Sequence, residues 1–322
     1  MNTKSEVLKL LESKRGEYIS GSDMAEKLGI SRNAVSKAVS RLAEDGYVIS
    51  AVKKSGYKLG TDFDSLSAEG VSSLLGPSKY KITCEKTVAS TNSVLKAAAV
   101  NGACDHTVLI AEHQSSGRGR MGRDYYSPQG TGVYMSVLLR PKLKAEEALT
   151  LTTSASVAVA LALKEYAGDD VKIKWVNDIY IKDKKVCGIL TEASVNCENG
   201  LLEYAVVGIG INILPPRGGF PAEIEDKAGS VLSEYMPNIR NRIAASVLLH
   251  LDKVLNEYSS ADILKEYRER SWLDGKRVDV IAGDNVYPAF VIGIDDDMRL
   301  LVKTDSGNIK QISSGEVSVK TI

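Results

Sequence analysis

Between two apolar, strand-like runs at Thr107–Glu112 and Thr131–Leu139 lies a stretch that no regular element can carry. It reads His113-Gln114-Ser115-Ser116-Gly117-Arg118-Gly119-Arg120-Met121-Gly122-Arg123, then Asp124-Tyr125-Tyr126-Ser127-Pro128-Gln129-Gly130. Its glycines and proline break both helical and strand periodicity, so this part of the chain must fold as two strands with a long loop between them. Loops of that length inside compact domains generally serve binding or catalysis. Gly117, Gly119 and Gly122 satisfy the spacing G-x-G-x-x-G, but a dinucleotide fold needs a helix directly afterwards to receive a pyrophosphate, and the residues that follow are unfit for a helix. No G-x-x-x-x-G-K-[ST] occurs anywhere. What remains is a glycine-rich loop carrying Arg118, Arg120 and Arg123. Glycines let backbone amides approach an anion, and forked guanidiniums grip phosphate or carboxylate bidentately, so the loop is expected to hold a phosphorylated or carboxylated ligand. A solvated basic loop or an RNA-binding stretch is the blander alternative, and the interleaving of three arginines with three glycines argues against it.

Around this loop the pattern alternates. Strands are expected at 81–86, 107–112, 131–139, 171–174, 179–182, 186–192 and 202–212, with helices at 93–100 and 148–166. Asp183-Lys184 and Asn199-Gly200 read as the turns of two hairpins, which makes a mixed, largely antiparallel sheet backed by helices. Residues 239–271 read as helical, with Ile243, Val247, Leu251 and Leu255 on one stripe. From Gly275 short apolar strands divided by Gly, Asp and Asn turns predict a small β-barrel of the SH3-like sort, whose role is either to complete the core or to receive ligand.

The chain has 322 residues and 41 basic against 41 acidic side chains, but that neutrality conceals an asymmetry. Residues 1–60 hold eleven basic and seven acidic residues, a net +4, and the remainder is −4. Within the basic segment three apolar stripes follow one another: Val7/Leu8/Leu11, Met24/Ala25/Leu28 and Ala34/Val35/Ala38/Val39/Leu42. Gly29 stops the second and Ser31 caps the third, which is a helix-turn-helix. The outer face of the third helix carries Arg32, Asn33, Ser36, Lys37, Ser40 and Arg41, suited to base edges and phosphates. Two short strands joined by Lys53-Lys54-Ser55-Gly56 then form a basic-tipped wing. DNA is the expected partner of this module, and its small net charge predicts a dimer on two half-sites. The resulting expectation is an α+β protein with a winged helix-turn-helix at 1–62, a linker or short helical connector at 63–79, a catalytic body at 80–272 and the barrel at 273–322.

Four cysteines without a C-x-x-C pair fit reduced thiols rather than a disulfide frame or zinc site, and His106, His113 and His250 show no metal spacing. With no apolar stretch long enough to span a bilayer and no signal-peptide pattern, the chain is expected to be cytoplasmic, with no membrane partner.

Two further clusters sit near the loop in sequence: Lys174-Trp175-Val176-Asn177-Asp178 at a strand end, and Lys185-Val186-Cys187-Gly188 just after a turn. A lysine outside a strand end can act as a point charge on a developing anion. Together with Ser90-Thr91-Asn92, Gln114, Ser127-Pro-Gln-Gly-Thr-Gly132, Leu139-Arg-Pro141 and Gly208-Ile-Gly-Ile-Asn212, these motifs resemble, in order, those of the biotin protein ligases. With the winged helix in front, the chain is similar to the bifunctional ligase and biotin operon repressors of bacteria over nearly its whole length. The resemblance implies a class II synthetase-like ligase domain that uses MgATP to form biotinyl-5′-AMP and then biotinylates a lysine of biotin carboxyl carrier protein. It implies Ser90, Thr91, Asn92 and Gln114 around the biotin ring, Arg118, Gly119 and Arg120 over its carboxylate and the α-phosphate, and Lys185 on both. Lys185 and Arg120 are the implied catalytic pair. Arg118, Arg120, Arg123, Tyr125, Asn177, Asp178 and Asn212 are implied for the nucleotide, with the Mg²⁺ ion carried by ATP and no resident metal. DNA contacts are expected from Ser31, Arg32, Asn33, Ser36, Lys37, Arg41, Lys53 and Lys54, on operator DNA, in an adenylate-bound homodimer. Two positions depart from the family: Val176 replaces a usual Pro, loosening the turn, and Tyr125 replaces a usual Trp, offering a smaller face for packing. A non-catalytic biotin sensor and a lipoate-type ligase are the alternatives.

Overall fold

The computed structural model describes residues 3–282, 285–313 and 316–319. At the N-terminus α1 (Thr3–Ser13), α2 (Gly21–Leu28) and α3 (Arg32–Glu44) precede a hairpin of β1 (Ile49–Val52) and β2 (Gly56–Leu59). Gly29 closes α2 with a left-handed φ of 64°, and Ser31 Oγ accepts from Ala34 N at 3.2 Å to open α3. The three stripes read from the sequence meet in a core of their own around Val7, Leu11, Met24, Val35, Leu42 and Leu59.

Residues 63–79 form a packed connector rather than a loose one. Ser67 caps α4 (Ala68–Leu75), which buries Val71 and Leu75 in the core of the body. On its other side Ser5 of α1 donates to Glu69 at 2.5 Å. Just before α4, Arg240 clamps Asp64: Nε donates to Oδ2 at 2.6 Å and Nη2 to the carbonyl at 2.9 Å, and both side chains are 5% exposed. Breaking a buried ion pair on one side strands the other charge, so Asp64→Ala is expected to cost about 3–5 kcal/mol of stability. Urea unfolding measures it, and a loss below about 1 kcal/mol would leave the clamp without a structural role.

The body is one seven-stranded sheet built from β3 (Lys81–Val88), β4 (Thr107–Gln114), β5 (Gly132–Leu139), β6 (Val171–Lys174), β7 (Asp178–Ile181), β8 (Lys184–Val195) and β9 (Leu202–Asn212). The strand order is β3-β4-β5-β9-β8-β7-β6, with β3 and β4 parallel and the other neighbours antiparallel. The near-continuous apolar run of β5 is buried at all eight positions, as a strand covered on both faces must be. On one face α5 (Thr91–Val100) packs Leu95 and Ala99 against Leu109, Leu138 and Val206. On the other lie α6 (Ala148–Ala167), α7 (Ile239–Glu257) and α8 (Ser260–Glu269). The helical stretch expected over 239–271 is two helices, broken where Ser259 starts α8 with a capping box.

The turn between β7 and β8 is Lys182-Asp183, both with left-handed φ (48° and 60°), not Asp183-Lys184 as the sequence reading placed it. Lys184 and Lys185 therefore belong to the strand. The Val176 carbonyl accepts from the buried hydroxyls of Ser156 (3.2 Å) and Tyr267 (3.1 Å), and the Trp175–Val176 peptide is cis.

The C-terminal sheet comprises β10 (Arg277–Ala282), β11 (Asn285–Ile294), β12 (Leu300–Thr304), β13 (Ile309–Ile312) and β14 (Glu316–Val319), in the order β13-β12-β11-β10-β14. The last strand was not recognised in the sequence. Its apolar face joins the body's core rather than forming a separate one, and Trp175 Nε1 donates across the boundary to Met298 O at 2.9 Å. No helix among the described residues is long and apolar enough to cross a membrane.

Candidate functional sites

The N-terminus of α5, the centre of β5 and β9, and the hairpin of β7 and β8 surround a cavity of about 140 Å³ that opens into a wider cleft. Ser90, Thr91, Asn92, Gln114, Arg118, Gly119, Arg120 and Lys185 all line the inner cavity. Arg123, Tyr125, Asn177 and Asp178 line both spaces, as do Gln114, Arg120 and Lys185. Asn212 lines the outer cleft alone, with its Nδ2 donating to Gly229 O at 3.1 Å. Residues expected from separate motifs are thus brought to one place, with the basic groups at the junction of the two spaces.

The arginine loop folds back on itself. Gly119 N donates to Arg123 O at 2.7 Å and Tyr125 N to Gly117 O at 2.9 Å, around a single 3₁₀ turn at Arg120–Gly122. Gly117 is buried at the root of the loop, and a Cβ there would press on Ser127 Oγ at 2.6 Å. Arg120 reaches across the cavity, with Nη1 donating to Asn177 Oδ1 at 3.1 Å, and Asn177 is anchored in turn by its Nδ2 on Ile189 O at 2.8 Å. Lys185 Nζ pairs with Asp178 Oδ1 at 2.8 Å.

Tyr125 closes the roof. Its hydroxyl donates to Gly210 O at 2.6 Å and its ring lies edge-on to Tyr134, 6.5 Å between centroids. Burial holds its phenol well above the ordinary range, so it remains a neutral donor. The hydroxyl thus ties the smaller ring to the strand. Gly210 and Gly188 leave room for it, since a Cβ at Gly210 would stand 2.5 Å from the ring.

Three features escaped the sequence reading. A strap through Ile224, Lys227 and Ala228 walls the outer cleft, and its backbone holds Lys185 by both of its main-chain polar groups: Lys185 N donates to Lys227 O at 2.7 Å and Gly229 N to Lys185 O at 2.8 Å. Nothing in its polar, irregular sequence marks this. Ser136 and Glu192 also went unnoticed, although a lone serine inside the apolar run of β5 was a signal. Gly188, on the same strand as Lys185, was seen only as part of a motif.

At the other end of the molecule, Ser31, Arg32, Asn33, Ser36, Lys37 and Arg41 are all exposed on α3, while Val35, Ala38, Val39 and Leu42 face inward. Lys53 and Lys54 are exposed at the tip of the β1–β2 hairpin. The arrangement offers a polar-basic helix and a basic wing to the same solvent.

Comparison with known proteins finds three family models in order along the chain. They are an HTH domain over residues 3–58, the biotin/lipoate A/B protein ligase family over 85–212, and the biotin protein ligase C-terminal domain over 275–320. The bifunctional ligase/repressor BirA of Bacillus subtilis is 32% identical, covering 98% of this chain and 98% of its own. That of Escherichia coli is 29% identical over 95% of this chain and 94% of its own. Among solved structures, a biotin protein ligase from Aquifex aeolicus in complex with biotin and ATP superposes with a TM-score of 0.62 at 28% identity, covering 76% of this chain and 99% of that one.

Proposed function

The chain belongs to the biotin protein ligase family, and from that premise we propose how its two cavities and its DNA-binding module divide the work of a bifunctional ligase and repressor. The protein is an ATP-dependent biotin ligase with a repressor module. Relatives named for biotin, and a neighbour carrying biotin and ATP, favour it over a lipoate-type enzyme. The carrying observation is the convergence of Arg120, Arg123 and Lys185 where the inner cavity meets the outer cleft.

In this reading biotin enters the inner cavity ring first, with Ser90, Thr91, Asn92 and Gln114 around it, and its carboxylate faces the junction. ATP lies in the cleft with its α-phosphate at the same point, near Arg123, Tyr125, Asn177, Asp178 and Asn212. A carboxylate oxygen attacks the α-phosphorus, and the bond to pyrophosphate breaks. Two anions approach each other only if cations neutralise the gathering charge, which is the task of Lys185, Arg120 and Arg118. In the second step the amine of a carrier-protein lysine attacks the acyl carbon and AMP departs. Mg²⁺ is assigned to the incoming MgATP as part of the substrate.

Purified protein given biotin, ATP and a carrier domain should release pyrophosphate and label one lysine; absence of both would overturn the reading. Gly208 gives a finer check, because a Cβ there would overlap Asn92 Oδ1. Gly208→Ala is expected to weaken biotin binding roughly tenfold or more through this overpacking, read by titration calorimetry. Binding within twofold of the parent would remove Asn92 from the biotin cavity.

For the repressor, operator DNA is the partner of α3 and the wing, and the adenylate-bound form acts as a homodimer that places two such modules on adjacent half-sites. Sedimentation with biotin and ATP should then show a mass near twice that of the ligand-free protein. An unchanged mass together with undiminished operator affinity would refute the dimer.

A further inference from the structure

Beneath the inner cavity runs a chain of polar side chains with one consistent direction, set by residues that do not line the cavity. Lys96 Nζ lies 2.5 Å from Glu192 Oε1. Asn92 Nδ2 donates to Glu192 Oε2 at 2.9 Å and to Leu190 O at 3.2 Å. Burial alone would raise the Glu192 carboxyl, but hydrogen bonds from Lys96 and Asn92 and nearby cations outweigh it and hold the group below its ordinary value, hence ionised. Both partners of Asn92 Nδ2 are therefore pure acceptors, and they fix which way the amide points. Its Oδ1 faces Ser136 Oγ at 2.6 Å.

An amide oxygen can only accept, so the Ser136 hydroxyl donates there. Ser136 Oγ also donates to Thr91 Oγ1 at 2.7 Å, so its proton is shared between the two oxygens and Thr91 accepts on that side. From the opposite side Gln114 Oε1, oriented by Thr91 N at 2.8 Å, accepts the Thr91 proton at 3.1 Å. The Thr91 proton is thereby committed to Gln114. The hydroxyl turns only lone pairs toward the cavity. Ser136 is fully buried, and an unmet polar group at such a depth is costly, so the order is firmly held.

We propose that Ser136, backed by Asn92 and Glu192, is a specificity-determining positioning residue: by fixing Thr91 as an acceptor it selects a ligand ring that offers an N–H. The proposal rests on biotin as the ligand, whose ureido ring carries such groups; the dithiolane ring of lipoate carries none. A site built to bond an N–H rejects a ring without one far more strongly than apolar contact could.

The test compares Ser136→Thr with Ser136→Val, two side chains of one shape that differ in the hydroxyl, alongside Glu192→Ala. For each, kcat and the KM values for biotin and ATP are measured by pyrophosphate release. Ser136→Thr should stay close to the parent, whereas Ser136→Val should raise the biotin KM about tenfold or more, with the ATP KM moving less than about twofold. Glu192→Ala should raise the biotin KM in the same direction, and it decides the matter if the Ser136 variants do not fold. Equal behaviour of the Thr and Val variants, parallel rises in both KM values, or an unchanged biotin KM in Glu192→Ala would overturn the proposal. Failure of the parent protein to turn over biotin would instead overturn the ligase reading beneath it.

Discussion

Replacing Lys185 by alanine is expected to slow pyrophosphate release from biotin and ATP by about 10²–10³-fold, the usual effect of removing one preorganised charge from a developing anion. The ammonium sits at the junction of the two cavities, 2.8 Å from Asp178, on a strand whose N–H and C=O at Lys185 are both bonded to the strap at residues 227–229. It is therefore positioned before substrates arrive and needs little rearrangement. Lys185→Arg should not restore the rate. A planar fork is bulkier than an ammonium, and Gly188 already lies so near that a Cβ there would be 3.3 Å from Lys185 Nζ. The same variant separates an enzyme from a sensor. If the adenylate is the signal, Lys185→Ala loses the response of operator binding to biotin plus ATP along with catalysis. A fall of less than tenfold in the rate, with the DNA response intact, would remove Lys185 from the chemistry.

The second large effect lies at the far end. Replacing both Arg32 and Arg41 by alanine should reduce operator affinity by about a hundredfold or more at moderate salt and leave biotin ligation unaltered. Both arginines are exposed on the outer face of α3, whose inner face closes a core separate from that of the catalytic body. The plot of log affinity against log salt should become shallower by about one for each arginine that meets a phosphate. Gel-shift titrations at several salt concentrations read both quantities. A variant that binds operator as the parent does would assign recognition to another surface.

Much of this was legible in the residues because the determining rules are local. Gly29 and Ser31 announce the turn between α2 and α3 through cap chemistry, and the glycines after Gln114 foretell a loop that holds only a single 3₁₀ turn, although β4 runs two residues further than expected. Lys174–Asp178 and Lys185 fall on neighbouring strands that a short turn must pair, so their meeting could be foreseen even though the turn sits one residue earlier than expected. What stayed hidden depends on distant partners. The clamp of Asp64 by Arg240 spans 176 positions, and α4 looked polar because only Val71 and Leu75 commit it to the core. Ser136 could be flagged as an oddity within an apolar strand, but its meaning comes from Asn92, 44 residues away. Tyr125 looked like a weakened tryptophan until the carbonyl of Gly210 gave its hydroxyl a purpose.

The continuity between the body and the C-terminal sheet has a bearing on timing. Because Val186 and Ile211 share one core with Val278 and Val280, and Trp175 is tied to Met298, the two walls of the cleft cannot swing apart like jaws. Substrate passage is then expected to depend on the arginine loop and the strap, which line the cleft. How long a reactive intermediate stays sheltered is then set by the opening of a few residues rather than by domain motion. Under the proposed function, the same loop would set the time available for delivering biotin to a carrier.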